Sequence, residues 1–191
     1  KIAASLAAGC SIIIKPAGET PASCAALVKA CEDAGVPKGV VNMLTGKSNE
    51  IAKRLIGSKI VRKVSVTGSV PIGKEILKLA ADGVKKVSME LGGHGPVLVF
   101  DDFDPKEAAE ICAFTKFRNC GQVCISPSRF YVHEKSYSTF CESFVEIAKS
   151  LKLGDGLDEG VQVGPMANSR GLKNIENMTG DAISKGADLL Y

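Results

Sequence analysis

Residues 63–73 read K-V-S-V-T-G-S-V-P-I-G, which is an apolar strand pattern, a T-G-S turn and the start of a helix in direct succession. The same order recurs toward the N-terminus, where the three isoleucines at 12–14 are typical of a strand buried on both faces. Strands are predicted at 12–14, 40–44, 63–66 and 84–90, and helices at 21–35, 49–56 and 69–81. Strands that alternate with helices on this spacing predict βαβ units and a parallel α/β fold.

The second half of the chain also alternates strands with helices, but the connections between them differ. Strands are predicted at 96–100 and 125–132, and helices at 104–114, 136–150 and 169–185. Gly92-Gly93 lies between two apolar strands, so we place a domain boundary there, with domains at 1–91 and 92–191. The chain is expected to begin within a helix that Gly9 ends, and to finish in a strand that has just begun at 187–191.

Composition narrows the class of protein. The chain has 191 residues, 45% hydrophobic and 24% charged, which is typical of a folded globular protein but short for a two-domain enzyme. Its net charge of +3 is interspersed along the chain, so neither a nucleic-acid groove nor a membrane partner is expected. Seven cysteines without a C-x-x-C pair, beside only two histidines, argue against disulfides and a metal site and favour a reducing compartment.

Two features suggest a nucleotide site. Gly68 and Ser69, with Gly73 one turn on, open a helix after a strand and could offer free backbone N–H groups to a phosphate, although a plain strand-to-helix turn has the same pattern. Lys15 follows a parallel strand at the edge where doubly wound sheets bind ligands; the alternative is an ordinary surface lysine.

Cys124 is a candidate nucleophile because it lies in the polar stretch F-R-N-C-G-Q-V-C, residues 117–124, outside any apolar stripe. Cys120 could form a redox pair with it or be a packed spare thiol. His94 and His133 could serve a Cys–His hydrolase, although neither suggests a base by itself. Glu90 closes an apolar strand and could be a general base or an exposed strand-end carboxylate.

Taken together, E-L-G-G at 90–93, G-Q-V-C at 121–124, I-K-P at 14–16 and T-G-S-V-P-I-G at 67–73 resemble the aldehyde dehydrogenase superfamily. The resemblance runs in order over nearly the whole chain. It implies part of a Rossmann-like NAD(P)-binding domain at 1–91, followed by part of the α/β catalytic domain at 92–191.

The resemblance also implies roles for these residues. Cys124 would attack the aldehyde carbon, its oxyanion being held by the Cys124 N–H and an asparagine from an upstream segment that this chain lacks. After hydride transfer, Glu90 would activate the water that hydrolyses the thioester. The cofactor-binding residues would be Lys15, Pro16, Gly46, Gly68, Ser69, Gly73, Leu91 and Gly92.

The string K-F-R-N-C-G-Q-V-C at 116–124 is similar to succinate-semialdehyde dehydrogenases, and S-P-S-R-F at 126–130 to 2-oxoglutarate-semialdehyde enzymes. We expect Arg118 to bind the distal carboxylate of an ω-carboxy aldehyde. The family pattern K-P-[SA]-E is broken by Gly18, with Glu19 one place late, so NADP becomes a cofactor candidate beside NAD.

The family's glutamate that holds the nicotinamide ribose and its C-terminal dimerisation arm are also missing from these residues. We therefore expect little turnover from the 191 residues alone, and a homo-oligomeric parent enzyme in the cytoplasm or the mitochondrial matrix. The alternative is a catalytically incomplete nucleotide-binding or interaction segment.

Overall fold

Three pairs of parallel strands, each pair joined through a helix, account for most of the computed structural model, which describes residues 1–191. The chain divides into two compact units, Lys1–Leu91 and Gly92–Tyr191. The first contains α1 (Ile2–Ala7), β1 (Ile12–Ile14), α2 (Pro21–Asp33), β2 (Val41–Met43), α3 (Ser48–Gly57), β3 (Lys63–Gly68), α4 (Val70–Ala81) and β4 (Lys86–Leu91). The second contains β5 (Gly95–Val99), α5 (Pro105–Phe117), a short turn (Arg118–Gly121), β6 (Pro127–Val132), α6 (Glu134–Ser150) and α7 (Ser169–Ser184).

The strand pairs are β1–β2, β3–β4 and β5–β6, and every pair is parallel. The predicted parallel α/β class is therefore confirmed. The strands form three two-stranded sheets rather than one continuous sheet. Because paired parallel strands end at the same edge, the residues that follow β1 and β2 lie together, as do those that follow β3 and β4.

Each unit has its own small core. Ile56 of α3 packs with Ile76 and Ala80 of α4 against the face of β3 and β4. In the second unit, Phe140 of α6 packs with buried residues of β5 and α5. The cluster comprises Val99, Ala108, Ala109, Cys112 and Phe140. These cores hold helices against the β3–β4 and β5–β6 pairs.

Glycines end several helices as predicted. Gly9 after α1 and Gly35 after α2 have positive φ, and the amides around them bond back into the last helical turn. Val84 does the same after α4, with φ of 48° and its N–H bonded to the Ala81 carbonyl. The strand predicted from Val84 therefore begins only at Lys86, because residue 84 is part of the helix stop.

Two other predicted strand limits are wrong. Ile125 belongs to a turn, because the N–H of Ser126 bonds the carbonyl of Val123, so β6 begins at Pro127. The tail at 187–191 has no strand, because no extended segment pairs with it. Its last side chain instead lies against α6, where the ammonium of Lys149 is 5.6 Å from the centre of the Tyr191 ring. None of the seven helices is long and apolar enough to span a bilayer.

Candidate active site

The carboxyl ends of β1 and β2 carry the first group of predicted cofactor residues. Lys15 follows β1 directly and is half-buried, and Pro16 behind it is buried. Gly46 follows β2 with φ of 140°, a conformation that side chains rarely adopt. Since Ile14 pairs with Met43, these three residues lie at one edge of the β1–β2 sheet.

The carboxyl ends of β3 and β4 carry the second group. Gly68 pairs with Leu91 across the sheet, and Thr67 pairs with Glu90. Ser69 then begins α4 in an extended conformation, and its side chain makes no capping hydrogen bond. The hydroxyl and the first amides of α4 therefore remain available to a phosphate, which the positive end of the helix dipole attracts. This chemistry fits the pyrophosphate of a dinucleotide.

Gly73 does not offer the free N–H that the sequence predicts for a phosphate. Its N–H is not free, because it donates to the carbonyl of Ser69 at 2.9 Å as the first intrahelical bond of α4. Gly73 is buried, and a β-carbon there would lie 2.8 Å from both δ-carbons of Leu91. The position thus needs glycine because α4 and β4 approach closely there, so any contact with a phosphate would come from the residues before it.

Glu90, the predicted general base, is the penultimate residue of β4 and is exposed. The prediction considered either a desolvated carboxylate or an exposed strand-end glutamate. The second description holds for these residues, because the end of a two-stranded sheet leaves the side chain open to water. A carboxylate in contact with water is able to accept a proton from it.

Cys124, the predicted nucleophile, occupies the second position of the turn at residues 123–126 and is exposed. The turn lies against the glycines that open the second unit. A β-carbon on Gly93 would be 3.9 Å from the Cys124 carbonyl oxygen, and one on Gly95 would be 3.3 Å from that of Ser126. The structure therefore brings the second glycine of E-L-G-G next to the backbone of the cysteine.

Two of the other cysteines, Cys112 and Cys120, are held by their surroundings. All seven are free thiols, and burial raises the pKa of the Cys112 thiol. The thiol of Cys120 donates to the carbonyl of Gly164 at 2.7 Å. Between the two alternatives for Cys120, this contact favours the packed spare thiol over a redox partner of Cys124.

Neither histidine is hydrogen-bonded to Cys124. His133 begins α6, where its Nδ1 accepts the Lys135 N–H at 3.3 Å and its Nε2 is 4.0 Å from a carboxylate oxygen of Asp101. His94 is exposed, and its carbonyl accepts a hydrogen bond from Arg129 at 3.2 Å. No hydrogen bond joins either imidazole to Cys124, so the Cys–His hydrolase alternative has no support.

Arg118, the predicted substrate residue, ends α5 and is exposed. It lies on the same connection between α5 and β6 as Cys124. Its backbone is extended, with φ of −53° and ψ of 128°, which turns the chain out of the helix before the cysteine. The buried hydroxyl of Ser126, two residues beyond Cys124, has no hydrogen-bond partner.

The sequence interpretation missed the residues that anchor this connection. Asn119 and Gln122 bond to each other, and the side-chain oxygen of Gln122 accepts the N–H of Ala167 at 3.1 Å. The two amide side chains beside Cys124 were visible in F-R-N-C-G-Q-V-C. Ala167 carried no signal, because its contribution is a backbone N–H brought there by the fold.

The model of the aldehyde dehydrogenase family matches residues 1–191, the whole chain. The chain belongs to this family. It is 45% identical over 190 residues to 3-sulfolactaldehyde dehydrogenase of Pseudomonas putida, covering 100% of this chain and 39% of that protein. It is 42% identical over 187 residues to succinate-semialdehyde dehydrogenase (NADP+) of Escherichia coli, covering 98% of this chain and 39% of that protein.

Solved structures give the same result. A succinate-semialdehyde dehydrogenase from Burkholderia pseudomallei is similar with a TM-score of 0.96 and 41% identity, over 100% of this chain and 40% of that one. The chain thus spans about two fifths of the length of the aldehyde dehydrogenases it matches.

Proposed function

We propose that these residues carry the nucleophile, the general base and part of the dinucleotide site of an NAD(P)-dependent aldehyde dehydrogenase. The observation that supports this most is the placement of Cys124 at an exposed turn beside Gly93, in a chain that matches the family over its full length. The proposed reaction converts an aldehyde to its carboxylic acid through a thioester on Cys124.

The proposed chemistry uses two residues in sequence. The Cys124 thiolate forms a bond to the aldehyde carbon, and the carbonyl oxygen takes up the negative charge next to the Cys124 N–H. The oxidation of that carbon would use NAD(P), which would supply the hydride acceptor when it is bound at the residues assigned below. Glu90 then takes a proton from water, whose oxygen attacks the thioester and releases the acid and the Cys124 thiolate.

We propose that the residues at the carboxyl ends of β1–β2 and of β3–β4 bind the cofactor. Ser69 and the start of α4 would hold the pyrophosphate, and Lys15 with Pro16 and Gly46 would lie along the adenosine ribose. Leu91 and Gly92 would pass beside the nicotinamide. Gly18 stands where a ribose-binding carboxylate is expected, which removes a charge that would repel a 2′-phosphate. We therefore propose that NADP is used as well as NAD.

For the substrate, we propose an aldehyde with an anionic group at its far end, such as succinate semialdehyde. The names of the relatives support this class, since they include succinate- and glutarate-semialdehyde dehydrogenases and a 3-sulfolactaldehyde dehydrogenase. Arg118 would provide the forked donor for that group. We further propose a location in the cytoplasm or the mitochondrial matrix, supported by the seven free thiols, and a homo-oligomeric parent enzyme.

The decisive test follows absorbance at 340 nm with succinate semialdehyde and either NAD or NADP, using the complete gene product. Cys124→Ala should abolish NAD(P)H formation, whereas Cys10→Ala, which also removes an exposed thiol, should retain it. A strong preference for NAD in kcat/KM would contradict the NADP proposal. Equal activity of wild type and Cys124→Ala would contradict the proposed nucleophile.

The second candidate is a segment that binds a dinucleotide without catalysis. It is favoured by the fact that the residues span only about two fifths of the relatives' length. This candidate predicts that the 191-residue chain binds NADP, and that neither the chain nor the complete gene product reduces NADP when aldehyde is added. That result would favour the binding segment over the proposed aldehyde dehydrogenase.

A further inference from the structure

Three consecutive residues before the turn of Cys124 have left-handed backbone conformations. Asn119 has φ of 51°, Cys120 of 54° and Gly121 of 71°. Glycine adopts this conformation freely and asparagine tolerates it, but it is strained for an ordinary L-residue such as Cys120. Such a run persists only where other contacts hold it in place.

Gln122 supplies most of these contacts. Its backbone N–H and its side-chain Nε2 both donate to the Asn119 carbonyl, at 3.0 and 3.1 Å. The Nδ2 group of Asn119 donates back to the Gln122 carbonyl at 3.2 Å. The left-handed turn is thus closed by both side chains.

The same glutamine also joins this turn to a distant loop at residues 164–167. Its Oε1 accepts the N–H of Ala167 at 3.1 Å, and the Cys120 thiol donates to the Gly164 carbonyl. The two hydrogen bonds of the Gln122 side chain help to offset the backbone strain at Cys120.

We propose that Gln122 is a positioning residue, which holds residues 119–124 against the loop at 164–167 and thereby fixes the location of the Cys124 thiol. Cys124 is exposed, so its location depends on the backbone before it rather than on packing around its own side chain. The effect on catalysis rests on the proposed function, whereas the effect on the backbone does not.

The first experiment measures hydrogen exchange of the amides of residues 122 and 126 by mass spectrometry in the 191-residue chain. Gln122→Met keeps the length of the side chain and removes both of its hydrogen bonds. We expect these amides to exchange about tenfold faster, with no change in α5.

The matched control is Gln162→Met. The Oε1 of Gln162 also accepts one backbone N–H at 3.1 Å, but from Lys152, which follows α6, and not from Ala167. The Gln162→Met substitution should leave hydrogen exchange at the amides of residues 122 and 126 unchanged. Gln122→Glu retains an acceptor for Ala167 and loses the donor to Asn119, so it should give an intermediate rate, and it carries the test if Gln122→Met does not fold.

The second experiment separates kcat from KM in the complete gene product. A displaced nucleophile lowers kcat about 10- to 100-fold while KM for aldehyde and cofactor stays within about threefold. The expected order of kcat is wild type, then Gln122→Glu, then Gln122→Met, with Gln162→Met equal to wild type.

Unchanged exchange at residues 122 and 126 in both Gln122 variants would overturn the inference. Equal effects of Gln122→Met and Gln162→Met would also overturn it, since they would indicate a general loss of stability. Absence of aldehyde-dependent reduction by the wild-type gene product would overturn the proposed function, and hydrogen exchange would then decide the positioning role alone.

Discussion

The side chain of Leu91 fills the space beside Gly73, so a β-carbon on Gly73 would lie 2.8 Å from both Leu91 δ-carbons. This contact fixes the distance between α4 and the end of β4. It joins two residues that are both predicted to bind the cofactor, and it gives Gly73 a structural reason to be glycine.

Gly73→Ala should destabilise the chain by about 1 kcal/mol, because overpacking costs about 1–3 kcal/mol and the gain in helix propensity offsets about 1 kcal/mol. In a Leu91→Ala background the clash is absent, so the same substitution should be neutral or stabilising. Urea unfolding of the four proteins in this double-mutant cycle measures the coupling. Equal effects of Gly73→Ala in both backgrounds would show that the contact is not made.

Val84→Gly should stabilise the chain by about 1 kcal/mol, because a β-branched residue is strained in the left-handed region that glycine adopts freely. Val84 has φ of 48° and is 91% exposed, so its side chain contributes little packing. Val84→Ala, which keeps a β-carbon, should recover only part of the gain. A lower melting temperature for Val84→Gly would contradict this prediction.

Asp104 begins α5, and its carboxylate accepts the N–H groups of Glu107 and Lys106, at 3.0 and 2.8 Å. These bonds, that of Glu107 first, lower its pKa below the ordinary value of 3.8. A lowered native pKa stabilises the fold at pH above 3.8, and this contribution disappears as pH falls through the native pKa.

Asp104→Asn keeps a good helix cap but does not titrate. Its melting temperature should be lower than that of wild type at neutral pH, and the two should converge in acid. Asp102→Asn removes a nearby exposed carboxylate and controls for the loss of charge. If the difference in melting temperature between wild type and Asp104→Asn increases as pH falls, the lowered pKa of Asp104 is contradicted.

Arg118→Ala should remove the preference for succinate semialdehyde over butanal in the complete gene product. A charge-assisted pair with the distal carboxylate corresponds to a change of about 10- to 100-fold in the ratio of kcat/KM values. Arg170→Ala, which removes an exposed arginine from α7, should leave the ratio unchanged. If Arg118→Ala leaves the ratio of kcat/KM for succinate semialdehyde to that for butanal unchanged, another residue recognises the carboxylate.

Iodoacetamide at mildly alkaline pH should modify Cys124 and Cys10 at least about tenfold faster than Cys112, because the thiolate is the nucleophile and burial raises the Cys112 pKa. Mass spectrometry of the digested chain gives each rate. In urea, where burial is lost, the rates should become similar. Comparable rates for Cys112 and Cys124 in the native chain would show that residues 105–117 do not pack as described.

Local chemistry made much of this protein predictable. The order of strands and helices followed from the sequence because its signals extend over only a few residues. These signals are the isoleucine run at 12–14, the Gly-Ser turn at 68–69 and the glycines that end helices at 9 and 35. Cys124 stands out as a candidate nucleophile because a packed cysteine rarely lies in a polar, glycine-containing stretch.

The limits of the prediction lie where distant segments meet. The residue type of Val84 favours a strand, but the end of α4 requires a left-handed residue there. The tail at 187–191 has the composition of a strand and no strand to pair with. Strand formation depends on a partner, which composition does not supply.

The sequence by itself determined the alternating α/β pattern, the candidate nucleophile and the strand ends that carry the predicted cofactor residues. Only the tertiary structure decided why Gly73 must be glycine, that Glu90 is exposed, and that Gln122 reaches the backbone N–H of Ala167. The physical reason is that backbone preferences act between neighbours in the chain, whereas packing distances and hydrogen bonds between loops exist only after folding brings them together.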